Sequence, residues 1–130
     1  MESNFINMNI QLETIQKKLE GGVWYRVVFL GDSITSAEWV FPNWREIIEY
    51  VLKTMLEEAM GDWQVPWWRI RGYNAGFNGA STVELIKFID EELANLHPDL
   101  VIYMDTYNDK YFGLDPAVHQ VNLETIFKKL

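Results

Sequence analysis

Val27-Val28-Phe29-Leu30 is an unbroken apolar run that stops abruptly at Gly31-Asp32-Ser33-Ile34-Thr35. Four apolar residues in a row suit a strand covered on both faces, as in a parallel sheet, and a glycine lets the backbone turn sharply where the strand ends. Ser33 is then expected on a tight bend at the strand's carboxyl end, the rim at which open α/β sheets bind their ligands. That position makes it a candidate nucleophile; a polar turn that caps the next element is the plainer alternative.

The rest of the chain alternates between the two hydrophobic periods. Met8, Leu12, Ile15 and Leu19 line one face of a helix from about residue 5 to Glu20, ended by Gly21-Gly22. The strand from about Trp24 to Leu30 follows, and then a loop from Ser36 to Pro42 that carries Glu38, Trp39 and Phe41. Asn43 with Glu46 has the spacing of a capping box, and Trp44, Ile47, Ile48, Val51, Leu52, Met55 and Leu56 predict a helix that stops at Gly61. After a turn at Pro66, Trp68, Ile70 and Tyr73 alternate with Arg69 and Arg71, the pattern of a second strand at an edge or exposed on one face. It leads into a loop of small residues, Asn74 to Ala80, before Ser81 and Glu84 cap a helix with Leu85, Ile86, Ile89, Leu93 and Leu96 on its buried side.

His97-Pro98 breaks that helix. Leu100 to Met104 predicts a third, central strand, Asp105 to Gly113 a polar loop, and Asp115-Pro116 the start of a last helix carrying Val118, Leu123, Ile126, Phe127 and Leu130. Strands alternating with helices make one α/β domain over residues 1–130, with a parallel sheet and right-handed crossovers.

A formal net charge of -8 argues against nucleic acid as a partner, because phosphate neutralisation needs a surplus of lysine and arginine. With no cysteine, disulfides and thiolate metal sites are excluded, and no cofactor is expected. There is neither the pattern of a signal peptide nor an apolar run long enough to span a bilayer, so a cytoplasmic chain is the default, although a mature secreted form would look the same. Trp63, Trp67 and Trp68 crowd one segment and read first as packing residues, second as a sugar or acyl platform.

Three loops therefore leave the carboxyl ends of three strands: Gly31-Asp32-Ser33, Asn74 to Gly79, and Asp105 to Asp109. The blocks Val28 to Thr35, Asn74 to Thr82 and Leu100 to Asp109, in that order and with helices between them, resemble the SGNH (GDSL) hydrolase family over about residues 20–130. The resemblance implies a flavodoxin-like three-layer α/β/α fold, here with three strands of the usual five, and a serine esterase acting on a small-molecule ester, acyl or acetylated sugar. It implies Ser33 as nucleophile, with the backbone N–H groups of Ser33 and Gly79 and the side-chain amide of Asn108 as an oxyanion hole. Such donors stabilise the charge that develops on the carbonyl oxygen more than they stabilise the flat substrate. Taken singly, Gly79 reads as a loop glycine and Asn108 as a turn residue. Asp32 is expected to bond loop backbone, and Asp109 to orient a loop.

The match fails where the base should be. A serine hydroxyl needs a base within reach and an acid to hold that base's tautomer; the family's Asp-x-x-His block has no counterpart here. His97 precedes the third strand, roughly 20 Å from the Ser33 end at about 3.3 Å per residue. His119, with Asp115 four residues upstream, is the remaining candidate base, a surface helix position being its commoner fate. Thr106 stands where the family usually has glycine, so a side chain there is expected to narrow the pocket or shift Asn108.

The simplest account is the N-terminal part of a longer hydrolase. The third strand's outer edge, Val101 to Met104, is then expected to be bare and to need a cover: a homo-oligomer, a swapped element or a companion fragment. Two alternatives stand beside the esterase. One is a noncatalytic binding or assembly module that uses Trp39 and Phe41; the other is a magnesium site of Asp32, Asp105 and Asp109, which no glycine-rich phosphate loop accompanies.

Overall fold

The computed structural model describes residues 8–130. In chain order they form α1 (Met8–Glu20), β1 (Tyr25–Gly31), the single turn α2 (Ser33–Ser36), α3 (Trp44–Met60), α4 (Gln64–Arg69), β2 (Ile70–Gly76), α5 (Thr82–Glu91), a 3-10 turn (Leu93–Leu96), β3 (Leu100–Tyr103), α6 (Asn108–Tyr111) and α7 (Pro116–Lys129). The start of the first helix expected near residue 5 lies outside the described residues. No helix among those described is long and apolar enough to cross a membrane.

The three strands are parallel and ordered β2-β1-β3, with Val28 opposite Tyr73 and Val101, and Gly31 opposite Gly76. β1 is the central strand, paired on one side with β2 and on the other with β3, and its Val27–Leu30 run is buried on both faces. Val28 and Leu30 point into a core built with Leu85 and Ile89 of α5 and Ile126 of α7. Tyr25, Val27 and Phe29 point the other way, into Ile15 and Leu19 of α1 and Leu56 of α3. Side chains that alternate along a strand thus feed two helical layers. Val27 to Leu30 are each at most 1% exposed, and burying a side chain of this kind contributes roughly 1.5–3 kcal/mol.

Local signals set the helix ends. The Asn43–Glu46 and Ser81–Glu84 capping boxes both form, Gly61 ends α3 in the left-handed conformation, and Asp115 caps α7 with Pro116 at its first position. Where the expectation was a strand from Trp68, the chain instead forms α4 first, and β2 begins at Ile70 and runs through Asn74-Ala75-Gly76. Pro66 sits in the first turn of that helix, where its missing N–H costs nothing. The turn is fixed from outside: the Trp67 indole N–H donates to Glu57 Oε2 at 2.8 Å, and its ring packs edge-on against Tyr50. β3, expected to be central, is an edge strand of this sheet. The loop from Asp105 to Gly113 contains the turn α6, and the helix after Ser81 gives way at Glu92 to the 3-10 turn.

Candidate active site

The rim begins with close packing at two glycines. A Cβ on Gly31 would collide with Thr35 Oγ1, and one on Gly76 with the backbone nitrogen of Ser36. Their bare backbones let α2 lie across the ends of β1 and β2. Asn43 holds the turn from the other side, its Nδ2 donating to the carbonyls of Ile34 (3.1 Å) and Ala37 (3.2 Å). Ser33, the first residue of α2, is fixed between strand and helix and half-buried. It lines a hollow of about 440 Å³ with Ile34, Trp39 and Val40. Among the described residues, none hydrogen-bonds to Ser33 Oγ.

The second loop is tied to the first. Phe77 N–H donates to Gly31 O at 3.0 Å, Asn74 Nδ2 to Ser36 O at 3.2 Å, and Ser36 Oγ to Asn78 Oδ1. Gly79 has φ +73°, a conformation that suits glycine, and open space on its Cβ side. Neither its N–H nor that of Ser33 is taken up by an acceptor among the described residues.

The third loop closes the arrangement. Asn108 Nδ2 donates to Ala80 O at 2.8 Å and lies 3.4 Å from Asp32 Oδ2, which also faces Tyr107 N–H at 3.4 Å. Asp32, 2% exposed, caps α2 through Oδ1 (2.9 Å from Ile34 N); it bonds loop backbone, as expected. Thr106 does not crowd the amide aside. Its hydroxyl donates to Ala80 O (2.6 Å) and accepts from Asn108 N–H (3.0 Å), which anchors both residues.

His119 meets a partner the sequence did not suggest. Asp115, four residues upstream, is engaged as the cap of α7, 2.7 Å from Ala117 N. His119 Nδ1 lies instead 2.7 Å from Asp109 Oδ2, and Nε2 3.2 Å from Asp105 Oδ2. Asp109, 3% exposed, also accepts from Thr82 N–H (2.7 Å) and Thr82 Oγ1 (2.5 Å), so it joins α5 to α7. The bond to Asp109 raises the His119 pKa against the opposing effect of burial, with Asp105 adding to the rise. Burial pushes Asp109 up, but the bonds from Thr82 and His119 outweigh it and hold its carboxyl below the ordinary range. Tyr103 is raised, by burial first and then by donating to Asp105 Oδ1 at 2.7 Å.

His119 lines a different hollow, of about 610 Å³, with Tyr107, Asp109 and Asp115. Gly79 borders a third, with Phe77 and Phe112. His97 caps the 3-10 turn ahead of β3, at the opposite end of the sheet from Ser33. Among the described residues no three His, Cys, Asp or Glu side chains are grouped to hold a metal, and Asp32 and Asp109 are filled by protein donors, so the magnesium alternative has no geometric support.

No protein-family model matches the chain, and no curated protein does so significantly. Solved structures do. The SGNH-hydrolase family esterase AlinE4 superposes with a TM-score of 0.63 at 23% identity, covering 82% of this chain and 53% of its own. TesA gives 0.61 at 24%, with 80% and 53% covered, and the lipase/acylhydrolase from Enterococcus faecalis 0.56 at 25%, with 81% and 51%. The chain has the α/β fold of the SGNH hydrolases, over about half the length of the members it matches.

Proposed function

We propose that this chain carries the nucleophile and oxyanion hole of an SGNH-type serine esterase or acyl hydrolase. The observation that carries the reading is the Asn108 amide set between Ala80 O and Asp32, which joins all three strand-end loops at one rim. Ser33 Oγ attacks the ester carbonyl carbon. The carbonyl oxygen takes the charge and is met by the N–H groups of Ser33 and Gly79, both without a described acceptor, and by Asn108 Nδ2 in exchange for its long contact to Asp32. The ester C–O bond then breaks, the alcohol leaves with a proton, and water hydrolyses the acyl-serine.

His119 is the candidate base within the chain. Asp109 on Nδ1 can hold the tautomer that leaves a lone pair on Nε2, the arrangement a general base requires, only when Nε2 no longer faces the Asp105 carboxylate. To accept the Ser33 proton, Nε2 must first leave Asp105. Labelling and turnover separate these parts: a fluorophosphonate probe should modify Ser33 and fail on Ser33→Ala. Hydrolysis of a chromogenic short-chain ester then reports the base, and His119→Ala should abolish it if His119 fills that role.

One observation favours a noncatalytic binding module: Trp39, which lines the Ser33 hollow, and Phe41 of the same loop are 72% and 86% exposed, an aromatic platform that needs no chemistry to hold a sugar or acyl group. A folded sample that takes no label at Ser33 decides for that reading.

A further inference from the structure

Arg45 breaks two of the rules that the rest of α3 obeys. It is the second residue of a 17-residue helix, and it is buried, 9% exposed. A cation is disfavoured in a first helical turn, where the unpaired N–H groups already carry partial positive charge, and a buried guanidinium gives up its hydration. Its carboxylate partner is a weak one. Arg45 Nη1 lies 3.4 Å from Glu46 Oε1, on a side chain 39% exposed, while Glu46 Oε2 is taken by the Asn43 N–H. Replacing a buried ion pair by apolar side chains of similar volume is often neutral or stabilising, so stability alone does not call for an arginine here. Residues that go against local preference are concentrated at functional sites.

The guanidinium reaches the turn that carries Ser33. Arg45 Nε donates to Thr35 O at 2.5 Å. The other carbonyls of α2 are met by neutral donors: Ser33 O by Ala37 N–H, Ile34 O by Asn43 Nδ2 and Ser36 O by Asn74 Nδ2. Thr35 O alone is met by a cation, and a charge-assisted bond is roughly twice as strong as a neutral one. Thr35 is fully buried, its Oγ1 standing where a Cβ on Gly31 would go, and that hydroxyl has no hydrogen bond among the described residues. The Arg45 bond therefore ties the middle of the turn to α3.

We propose that Arg45 is a positioning residue for Ser33. Through Thr35 O it fixes the rotation of α2 against the end of β1, and with it the direction in which the Ser33 hydroxyl and N–H face the rim. The proposal rests on the esterase reading, in which Ser33 Oγ must meet a carbonyl carbon while its own N–H meets the oxygen. A four-residue turn has little stiffness of its own, and a displacement of about 1 Å at a reacting group can cost roughly 10²-fold in rate.

Isosteric replacements in the full 130-residue chain test this. Gln places its amide nitrogen as many bonds from Cα as the Nε of arginine, and Met places a methyl group there. Ser33 labelling by a fluorophosphonate, measured well below the melting midpoint, should slow about 10- to 100-fold in Arg45→Met and largely recover in Arg45→Gln. Amide exchange at Thr35, Ser36 and Ala37, whose N–H groups close the turn on Asp32 O and Ser33 O, should quicken in Arg45→Met and return toward the parent's in Arg45→Gln. Lys53→Met removes a cation of similar side-chain burial from the same helix, 2.6 Å from Glu49, and should match the parent in both. If Arg45→Met does not fold, Arg45→Lys, whose ammonium lies one bond beyond the Nε position, is read by the same measurements, with a smaller fall expected. A labelling rate in Arg45→Met equal to the parent's, or a loss that Arg45→Gln does not recover, overturns the proposal and leaves the esterase reading standing. A parent that takes no label sinks the esterase reading instead, and exchange then decides: turn amides as slow in Arg45→Met as in the parent overturn the proposal, and faster exchange that Arg45→Gln reverses upholds it.

Discussion

His119 Nδ1 and Asp109 Oδ2, 2.7 Å apart, join the helix after the third loop to the loop itself, and through Thr82 to α5. The two pKa shifts run in opposite directions. His119 is raised, so its contribution is complete below its unfolded value, about 6.5, and is lost as pH rises through the higher folded one. Asp109 is lowered, so its contribution is present above its unfolded value, about 3.9, and is lost as pH falls through the lower folded one. The pair therefore stabilises α7 most between about pH 4 and 6.5. Thermal melts should show a loss of stability from pH 6 to pH 8 that His119→Ala removes; an identical slope in that variant contradicts the assignment.

Asp109→Ala tests the carboxylate itself. Thr82 N–H and Oγ1 and the His119 ring lose their acceptor in a site that is 3% exposed. Hydrogen bonds to a charged group contribute roughly 1.5–3 kcal/mol each, and a buried donor left alone costs about as much. Chemical denaturation should place Asp109→Ala several kcal/mol below the parent, a larger loss than that of Asp105→Ala, whose side chain is 48% exposed.

Thr106 gives a sharper contrast. Replacing it with glycine, the residue expected from the family pattern, removes a donor to Ala80 O and an acceptor for Asn108 N–H. The expected loss is about 1–2 kcal/mol, with slower labelling of Ser33 as Asn108 loosens. A variant as stable and as reactive as the parent would show that the hydroxyl positions nothing.

What could be read from the chain was what nearby residues decide. Asn43 with Glu46, Ser81 with Glu84, and Asp115-Pro116 act within one helical turn, so spacing alone located those ends. The buried run of β1 was equally legible, because a strand apolar on both faces leaves no alternation to misread. The start of β2 was not. Trp68, Ile70 and Tyr73 alternate with arginines by accident, while Trp67 is held in a helical turn by Glu57, ten residues away. The same distance separates Asp109 from His119, and only the folding of α6 and α7 brings them together. Sequence located the three loops; the hydrogen bonds through Ala80 O and Asp32 that join them came only with the fold.

The rim glycines should respond unequally to one added methyl group. At Gly76 a Cβ strikes the backbone of Ser36, which has no rotamer to escape into, so Gly76→Ala should be strongly destabilised or fail to accumulate as folded protein. At Gly79 the space is open and only the positive φ opposes a side chain, a cost of about 1 kcal/mol. Denaturation midpoints measure the difference, and equal losses at the two positions would contradict the packing described for α2.

Asn108→Ala separates a structural role from a chemical one. Ala80 O keeps the Thr106 hydroxyl at 2.6 Å, and Asp32 keeps Ile34 N–H at 2.9 Å, when the amide is removed. No buried group is therefore orphaned, and the stability loss should stay near 1 kcal/mol. The rate of Ser33 phosphonylation should fall about 10²- to 10³-fold, the usual effect of removing one oxyanion donor. Measured together, a small shift in melting temperature and a large drop in labelling rate place Asn108 at the developing charge. A labelling rate that falls no further than the stability change explains would leave the amide a loop anchor, and the third oxyanion donor would have to be sought elsewhere.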